Sequence, residues 1–171
     1  WNLNDLYLGF DERYQDDLKR FDEAMDDYTS WINTQDVDPI TYIEGVLKKE
    51  EILSSLSRSL YSFASLTMST DVTHQEAPVY LAKLSKISRK STAEDVKFTR
   101  FLETVDLDDL SKKSELINHY LYQLKLTQEE GSHLLSEKEE LLYAKLRELS
   151  SQSWGQLQGI TTANLPVHYG D

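Results

Sequence analysis

Apolar residues recur along this chain at intervals of three and four and almost nowhere at intervals of two, a pattern that predicts an all-α fold. Between Asp11 and Asn33 the stripe Tyr14, Leu18, Phe21, Met25, Tyr28 and Ile32 advances by alternating steps of four and three, which is one buried helix face. A second helix opens with Asp38 as N-cap and Pro39 at the first helical position, where the missing N–H would have had no partner anyway. It carries Ile40, Ile43, Val46 or Leu47, Leu53, Leu56, Leu60 and Phe63 toward Met68. Gly45 inside it lowers helix stability by roughly 1 kcal/mol relative to alanine, too little to break the pattern.

After a turn near Ser69-Thr70-Asp71, a third helix starts close to Pro78 with Tyr80, Leu81, Leu84 and Ile87 on one side. Polar residues Ser88 to Thr92 interrupt it, so it bends or restarts before Val96, Phe98, Phe101 and Leu102. A connector from Asp106 to Asp109 leads to a fourth helix over Leu110 to Leu124, with Leu116, Ile117, Tyr120, Leu121 and Leu124 apolar. Ser136 and Glu139 then form an S-x-x-E capping box, each side chain satisfying one orphan N–H at a helix start. The helix that follows runs through Leu141, Leu142, Leu146 and Leu149 and is expected to form a hairpin with the preceding one.

Helical patterning fades after Trp154 and Leu157, and Thr161 to Val167 contains β-branched residues and a proline. It reads as an edge strand or an extended terminus. The expected architecture is an elongated bundle of antiparallel helical hairpins, five to six helices in all, with a short extended C-terminal segment. One helical domain spans 1–160, followed by a tail over 161–171.

Composition narrows what such a bundle does. With 171 residues, 39% hydrophobic, the chain can bury a sizeable core. Its 18 Lys+Arg against 30 Asp+Glu give a net charge of -12, which repels a polyanion and argues against nucleic acid as a partner. The most concentrated basic stretch, Lys83, Lys86, Arg89, Lys90, Lys97 and Arg100, lacks interleaved aromatic platforms and reads as a solvated helix face. There is no cysteine, which removes disulfides and thiolate chemistry and suits a reducing cytoplasm. No run of about eighteen apolar residues is present to span a membrane. No basic-then-apolar leader is visible, and Trp1 in place of an initiator methionine leads us to expect a translation start upstream or a processed terminus.

Candidate chemistry is sparse. A zinc peptidase helix needs two histidines at i and i+4, so that both imidazoles converge on one metal, and a glutamate to handle the proton of the bound water. His74, His119, His133 and His168 contain no such pair. In His74-Gln75-Glu76-Ala77-Pro78, glutamine stands where the base would be and proline where the second ligand would be. His74 reads as a polar turn residue before a helix, His119 as packed or surface, and His133 as locally structural. Adjacent acids such as Asp26 with Asp27, or Asp108 with Asp109, carry no information without burial. No G-x-S-x-G elbow, phosphate loop or G-x-G-x-x-G fingerprint occurs. No catalytic, cofactor-binding or metal-ligating residue is therefore assigned to this chain.

Two segments nonetheless point to a family. The opening Trp1-Asn2-Leu3-Asn4-Asp5-Leu6-Tyr7 resembles the W-[DN]-L-x-D-L-[YF] start of oligoendopeptidase F-like zinc metallopeptidases, with Leu3, Leu6 and Tyr7 placed to anchor an extended terminus and Asp5 to cap a turn. The segment His133 to Leu142 is similar to their H-x-L-S-E-x-E-E-x-L-L, and the likeness continues to Trp154. The resemblance spans essentially the whole chain and only the opening portion of the family. It implies a helical N-terminal domain that walls a cavity for short peptides and packs on a separate catalytic domain. That catalytic domain would bring the HExxH helix and the zinc. In one departure, Gln128-Glu129-Glu130-Gly131 replaces a basic residue often found just before the second segment, which bears on a domain contact more than on the fold.

Two further readings compete with this one. One is a stand-alone acidic helical module that docks a partner through an exposed apolar face. The other is a degenerate paralogue that kept the fold and lost the chemistry. Which peptides are cut and the oligomeric state are not written in the sequence.

Overall fold

Two aspartates start the two longest helices. The Asp11 carboxylate accepts the Tyr14 N–H at 3.1 Å and opens α1, Glu12–Ile32. Asp38 accepts the Ile40 and Thr41 N–H groups, each at 3.1 Å, and opens α2, Pro39–Thr70, with Pro39 in the first turn as the sequence predicts. The computed structural model describes residues 2–166 apart from positions 72, 132, 134, 148, 149 and 152. Trp1, Leu134, Leu149, Val167 and His168, all considered above, lie outside the described residues.

The stripe on α1 is the core. Tyr14, Phe21, Met25, Tyr28 and Ile32 are buried against Ile43, Val46, Leu47, Leu53, Leu60 and Phe63 of α2. Each full burial of a large apolar side chain is worth about 1.5–3 kcal/mol, so this antiparallel pair anchors the fold. Tyr42 and Trp31 tie the closed end of the pair: the Tyr42 hydroxyl donates to the Ile32 carbonyl at 2.9 Å, and Trp31 Nε1 donates to the Tyr42 carbonyl at 3.1 Å. The indole fills the notch that Gly45 leaves, and a Cβ there would clash with Cε2, Cζ2 and Nε1 of Trp31. Gly45 is therefore a packing requirement rather than a tolerated weakness.

The open end of the pair is closed by the N-terminal segment. Tyr7 is buried and meets Tyr14 and Phe63 edge-on at 5.0 and 5.4 Å, while its hydroxyl donates to Asp17 at 3.0 Å. Leu3 and Leu6 pack partly buried beside it. The turn is capped by the Asn2 side chain, which accepts the Asn4 N–H at 3.0 Å, and not by Asp5 as expected. Asn2 wins because its side chain reaches the N–H two residues ahead, the Asx-turn geometry.

α3, Glu76–Ser88, packs on α2 and is joined by a 3-10 turn, Arg89–Ser91, to α4, Thr92–Leu102, which confirms the predicted break at Ser88 to Thr92. The single helix expected over Leu110–Leu124 is divided into α5, Leu107–Ser111, α6, Glu115–His119, and α7, Leu121–Gly131. Side chains set the first two of these starts. Asp106 accepts the Asp108 and Asp109 N–H groups and starts α5, and Ser114 accepts the Ile117 N–H at 3.2 Å and starts α6. The Gln128 side chain then donates to the Leu102 and Val105 carbonyls, holding α7 to the end of α4. Buried Gly131 lies where a Cβ would meet the Glu103 carboxyl. The Gln128–Gly131 departure is thus absorbed inside this chain.

The capping box forms as read: the Ser136 N–H donates to Glu139 Oε2 at 2.9 Å and the Glu139 N–H to Ser136 Oγ at 3.4 Å, opening α8, Glu137–Arg147. α8 rests on α4 rather than pairing with the helix before it, and Arg100 donates to the Leu135 carbonyl at 2.9 Å at that junction. The last element corrects a second expectation. Thr161 to Ala163 belong to a helix, α9, Ser153–Ala163, not to a strand or extended tail. Thr161 Oγ1 donates to the Leu157 carbonyl and the Asn164 side-chain amide to the Ile160 carbonyl, both at 2.8 Å, so side chains satisfy the final turn. The helix ends two residues short of Pro166, in line with the restriction proline places on its predecessor. Among the described residues no strand is present, and no helix is long and apolar enough to cross a membrane.

Candidate functional site

A cleft of about 790 Å³ opens where α2 faces α4 and α7. Positions 47, 50, 51, 54, 55 and 58 of α2 recur at helical spacing and supply one wall. Phe98 and Thr99 of α4 supply the second wall, and Gln123, Leu124 and Thr127 of α7 the third. Tyr120, which follows α6, closes the rim and donates its hydroxyl hydrogen to Glu51 at 2.7 Å. Ser114 donates to Glu44 at 2.7 Å and fastens the start of α6 to α2.

The polar centre of the cleft is assembled from three helices. Tyr28 of α1 is buried, and its hydroxyl lies 2.8 Å from Asp95 Oδ1 on α4 and 3.4 Å from Glu50 Oε1 on α2. The other oxygen of Asp95 accepts from Ser91 Oγ at 2.9 Å. Solvent in the cleft reaches both carboxylates, which are exposed in surface area, while protein surrounds them on the remaining sides. That crowding pushes Glu50 up to about 7, with the charge of Asp95 adding to burial and the Tyr28 hydrogen bond opposing it. Burial also raises Asp95, against the hydrogen bonds from Tyr28 and Ser91. Tyr28 is held far above the usual phenol range by burial and by the two acids. Of the cleft's lining charges, Glu50, Glu51 and Asp95 face a single cation, Arg58. The excess of acidic over basic side chains in the cleft favours cationic groups over anions.

The residues weighed in the sequence lie elsewhere. His74 Nδ1 accepts the Glu76 and Ala77 N–H groups at 3.3 and 3.2 Å and so caps the start of α3, the turn role read for it. His119 is exposed with its ring edge-on to Tyr120, and the His133 N–H closes a turn onto the Glu130 carbonyl at 2.9 Å. These imidazoles do not converge. Among the described residues no group of three or more His, Cys, Asp or Glu is arranged to hold a metal ion.

The adjacent acids are ordinary ion pairs: Asp26 with Lys90 at 2.7 Å, Asp27 with Lys49, Asp108 with Lys125 at 2.7 Å and Asp109 with Lys113 at 2.5 Å. The basic stretch is spent within the chain too. Lys83 lies over the Tyr80 ring at 4.5 Å, Lys90 also reaches Asp22 at 2.7 Å, and Lys97 reaches Asn33 at 2.8 Å. The acids that do meet in a concavity, Glu50 and Asp95, are far apart in sequence and carry no local motif. Only the helical phase of each, set beside that of Tyr28, pointed inward.

A second surface feature lies at the C-terminal end. Leu142, Tyr143 and Leu146 of α8 and Trp154, Leu157 and Ile160 of α9 are each more than half exposed. Of the α8 stripe expected to pack in a hairpin, Leu142 and Leu146 instead face outward.

Comparison with known proteins gives one finding. The family model of the N-terminal part of M3 peptidases, described as Oligopeptidase F, matches residues 102–166, just over a third of the chain. The matched part contains the His133–Leu142 segment and most of the exposed apolar surface, and it begins after the opening heptad. It supports an oligoendopeptidase F-like N-terminal domain. No curated protein and no solved structure matches the chain.

Proposed function

We propose that this chain is the non-catalytic N-terminal helical domain of a zinc metalloendopeptidase that hydrolyses short oligopeptides, and that it forms part of the wall of the substrate cavity. The observation that carries this reading is the family match over 102–166, the stretch that supplies α7 to the cleft and α8 and α9 to the exposed apolar surface. The cleft has the volume of a small-ligand site, and its mixed apolar and acidic lining suits short peptides. The HExxH helix and its zinc would reside in a catalytic domain of the same parent protein. The role of this chain is to shape access, admitting short unfolded substrates and leaving folded proteins outside. The proposed setting is cytoplasmic, which the absence of cysteine suits.

The exposed apolar side chains favour one further reading, an interaction module that docks a separate partner through α8 and α9. Trp154, 71% exposed, discriminates between the two. In the intact parent, docking on the catalytic domain is expected to shield Trp154 from acrylamide quenching, whereas a module for outside partners leaves it accessible.

The expected biochemical result has two arms. The purified 171-residue chain retains no stoichiometric zinc and cleaves no peptide. The parent binds zinc, cuts short peptides, spares folded proteins and loses activity in a chelator. Peptidase activity in the isolated chain, or a parent without an HExxH helix, sinks the proposal.

A further inference from the structure

Tyr28 has one hydroxyl hydrogen and two carboxylate neighbours. It donates to Asp95 at 2.8 Å, so its 3.4 Å approach to Glu50 gains a hydrogen of its own only when Glu50 carries a proton. Without that proton, Glu50 can only share the single Tyr28 hydrogen with Asp95, at the longer 3.4 Å distance and beside a second carboxylate. The count of hydrogens, not acidity alone, singles out this trio.

We propose that Glu50, Tyr28 and Asp95 form a proton-operated clasp. With Glu50 protonated, its O–H donates to Tyr28 Oη, the Tyr28 hydrogen goes to Asp95, and Ser91 donates to the other Asp95 oxygen. One continuous chain of hydrogen bonds then joins α2 to α1 and α4 along the cleft wall. Loss of the proton as pH rises removes the α2 link from this chain of hydrogen bonds, leaves the packed core in place, and adds a negative charge to the cleft. The inference concerns this chain alone and stands whether or not the cleft faces peptides.

The surrounding charges leave the clasp to set its own balance. On α2, Glu51 is engaged by the Tyr120 hydroxyl. Arg58 stands two turns from Glu50, about 12 Å along the helix, beyond a Debye length of about 10 Å at 0.1 M salt. Lys49 is engaged with Asp27 of α1, and Lys90 with Asp22 and Asp26. On α4, Glu94 adds negative charge beside Asp95 and is itself approached by Lys97 at 3.5 Å. α7 offers the cleft only the uncharged Gln123, Leu124 and Thr127.

The linkage has a definite sign. In the unfolded chain Glu50 releases its proton near the ordinary value of about 4.3, and in the fold near 7. Between those values the folded state binds the extra proton, so this group's contribution makes stability fall as pH rises, levelling off above about 7.

The test is carboxyl 13C NMR of the 171-residue chain from pH 4 to 9. Glu50 should titrate near 7 and the Asp95 signal should move with it at the same midpoint. In D95N the Glu50 midpoint should fall toward the ordinary glutamate range. In Y28F the Asp95 signal should follow Glu50 only weakly, through charge alone. E50Q, whose amide can donate to Tyr28 Oη at every pH, should abolish the neutral step at Asp95 and raise the thermal midpoint at pH 8 by about 2–4 °C. A Glu50 that titrates in the ordinary range with Asp95 unresponsive, or an E50Q chain less stable than the parent sequence at pH 8, overturns the clasp.

Discussion

Replacing Tyr7 by alanine is expected to lower the stability of the fold by about 3–5 kcal/mol, the cost of deleting a fully packed aromatic side chain. Tyr7 is 2% exposed, and its ring enters the shared core. It meets Tyr14 and Phe63, and beyond them Phe10 stacks on Tyr80 of α3 at 4.4 Å. Deletion of the ring therefore opens a void where the N-terminal segment, α1, α2 and α3 converge. Tyr7→Phe keeps the ring and removes only the bond to Asp17, so its cost should be about 1 kcal/mol. Urea unfolding of both variants measures the difference. If Tyr7→Ala loses no more than Tyr7→Phe, the segment is not an integral part of the core.

The second large effect is expected at Gly45, where two principles give opposite signs. Helix propensity says that Gly45→Ala stabilises by about 1 kcal/mol. Packing says that the new methyl group displaces the Trp31 indole and costs about 1–3 kcal/mol, and the indole is a rigid ring with few ways to yield. We expect packing to win, with net destabilisation in the chain as it stands. In a Trp31→Ala background the obstruction is gone, and the same Gly45→Ala change should then stabilise. A double-mutant cycle by thermal or urea unfolding reads the reversal directly. Additive effects in that cycle would remove the indole from the account.

Much of the fold was legible because helix starts and buried stripes are local. Asp11, Asp38 and Ser136 each declare a helix within four residues, and the Tyr14 to Ile32 stripe needs only a period of 3.6 to be recognised. What escaped is of another kind. Asp106 and Ser114 look like ordinary polar residues until their side chains cap the backbone and start two short helices where one was expected. Gly45 reads as a weakness until the indole across from it is known. Glu50 and Asp95 sit among 30 acids, and apart from their helical phase nothing local distinguishes them from the surface pairs. Their meeting at Tyr28 depends on how α1, α2 and α4 cross. The apolar residues of α8 illustrate the same limit, since periodicity marks a face without saying what covers it.

Trp31 in its glycine notch has a consequence for how the chain accommodates change in length. With Tyr42 bonded to the Ile32 carbonyl and the indole bonded back to the Tyr42 carbonyl, α1 and α2 are keyed at one end and cannot slip past each other by a turn. At 1.5 Å per residue, α2 is about 48 Å long and α1 about 32 Å, so some 16 Å of α2 runs beyond its partner toward α3. Residues inserted between Asn33 and Val37 lengthen a loop outside the key. One residue inserted between Asp11 and Trp31 turns everything on its far side by about 100°, carrying Tyr14 or Tyr28 off the shared face. The hairpin thus behaves as a ruler with a fixed zero: loops can grow, while the count of residues from the notch to each aromatic anchor cannot.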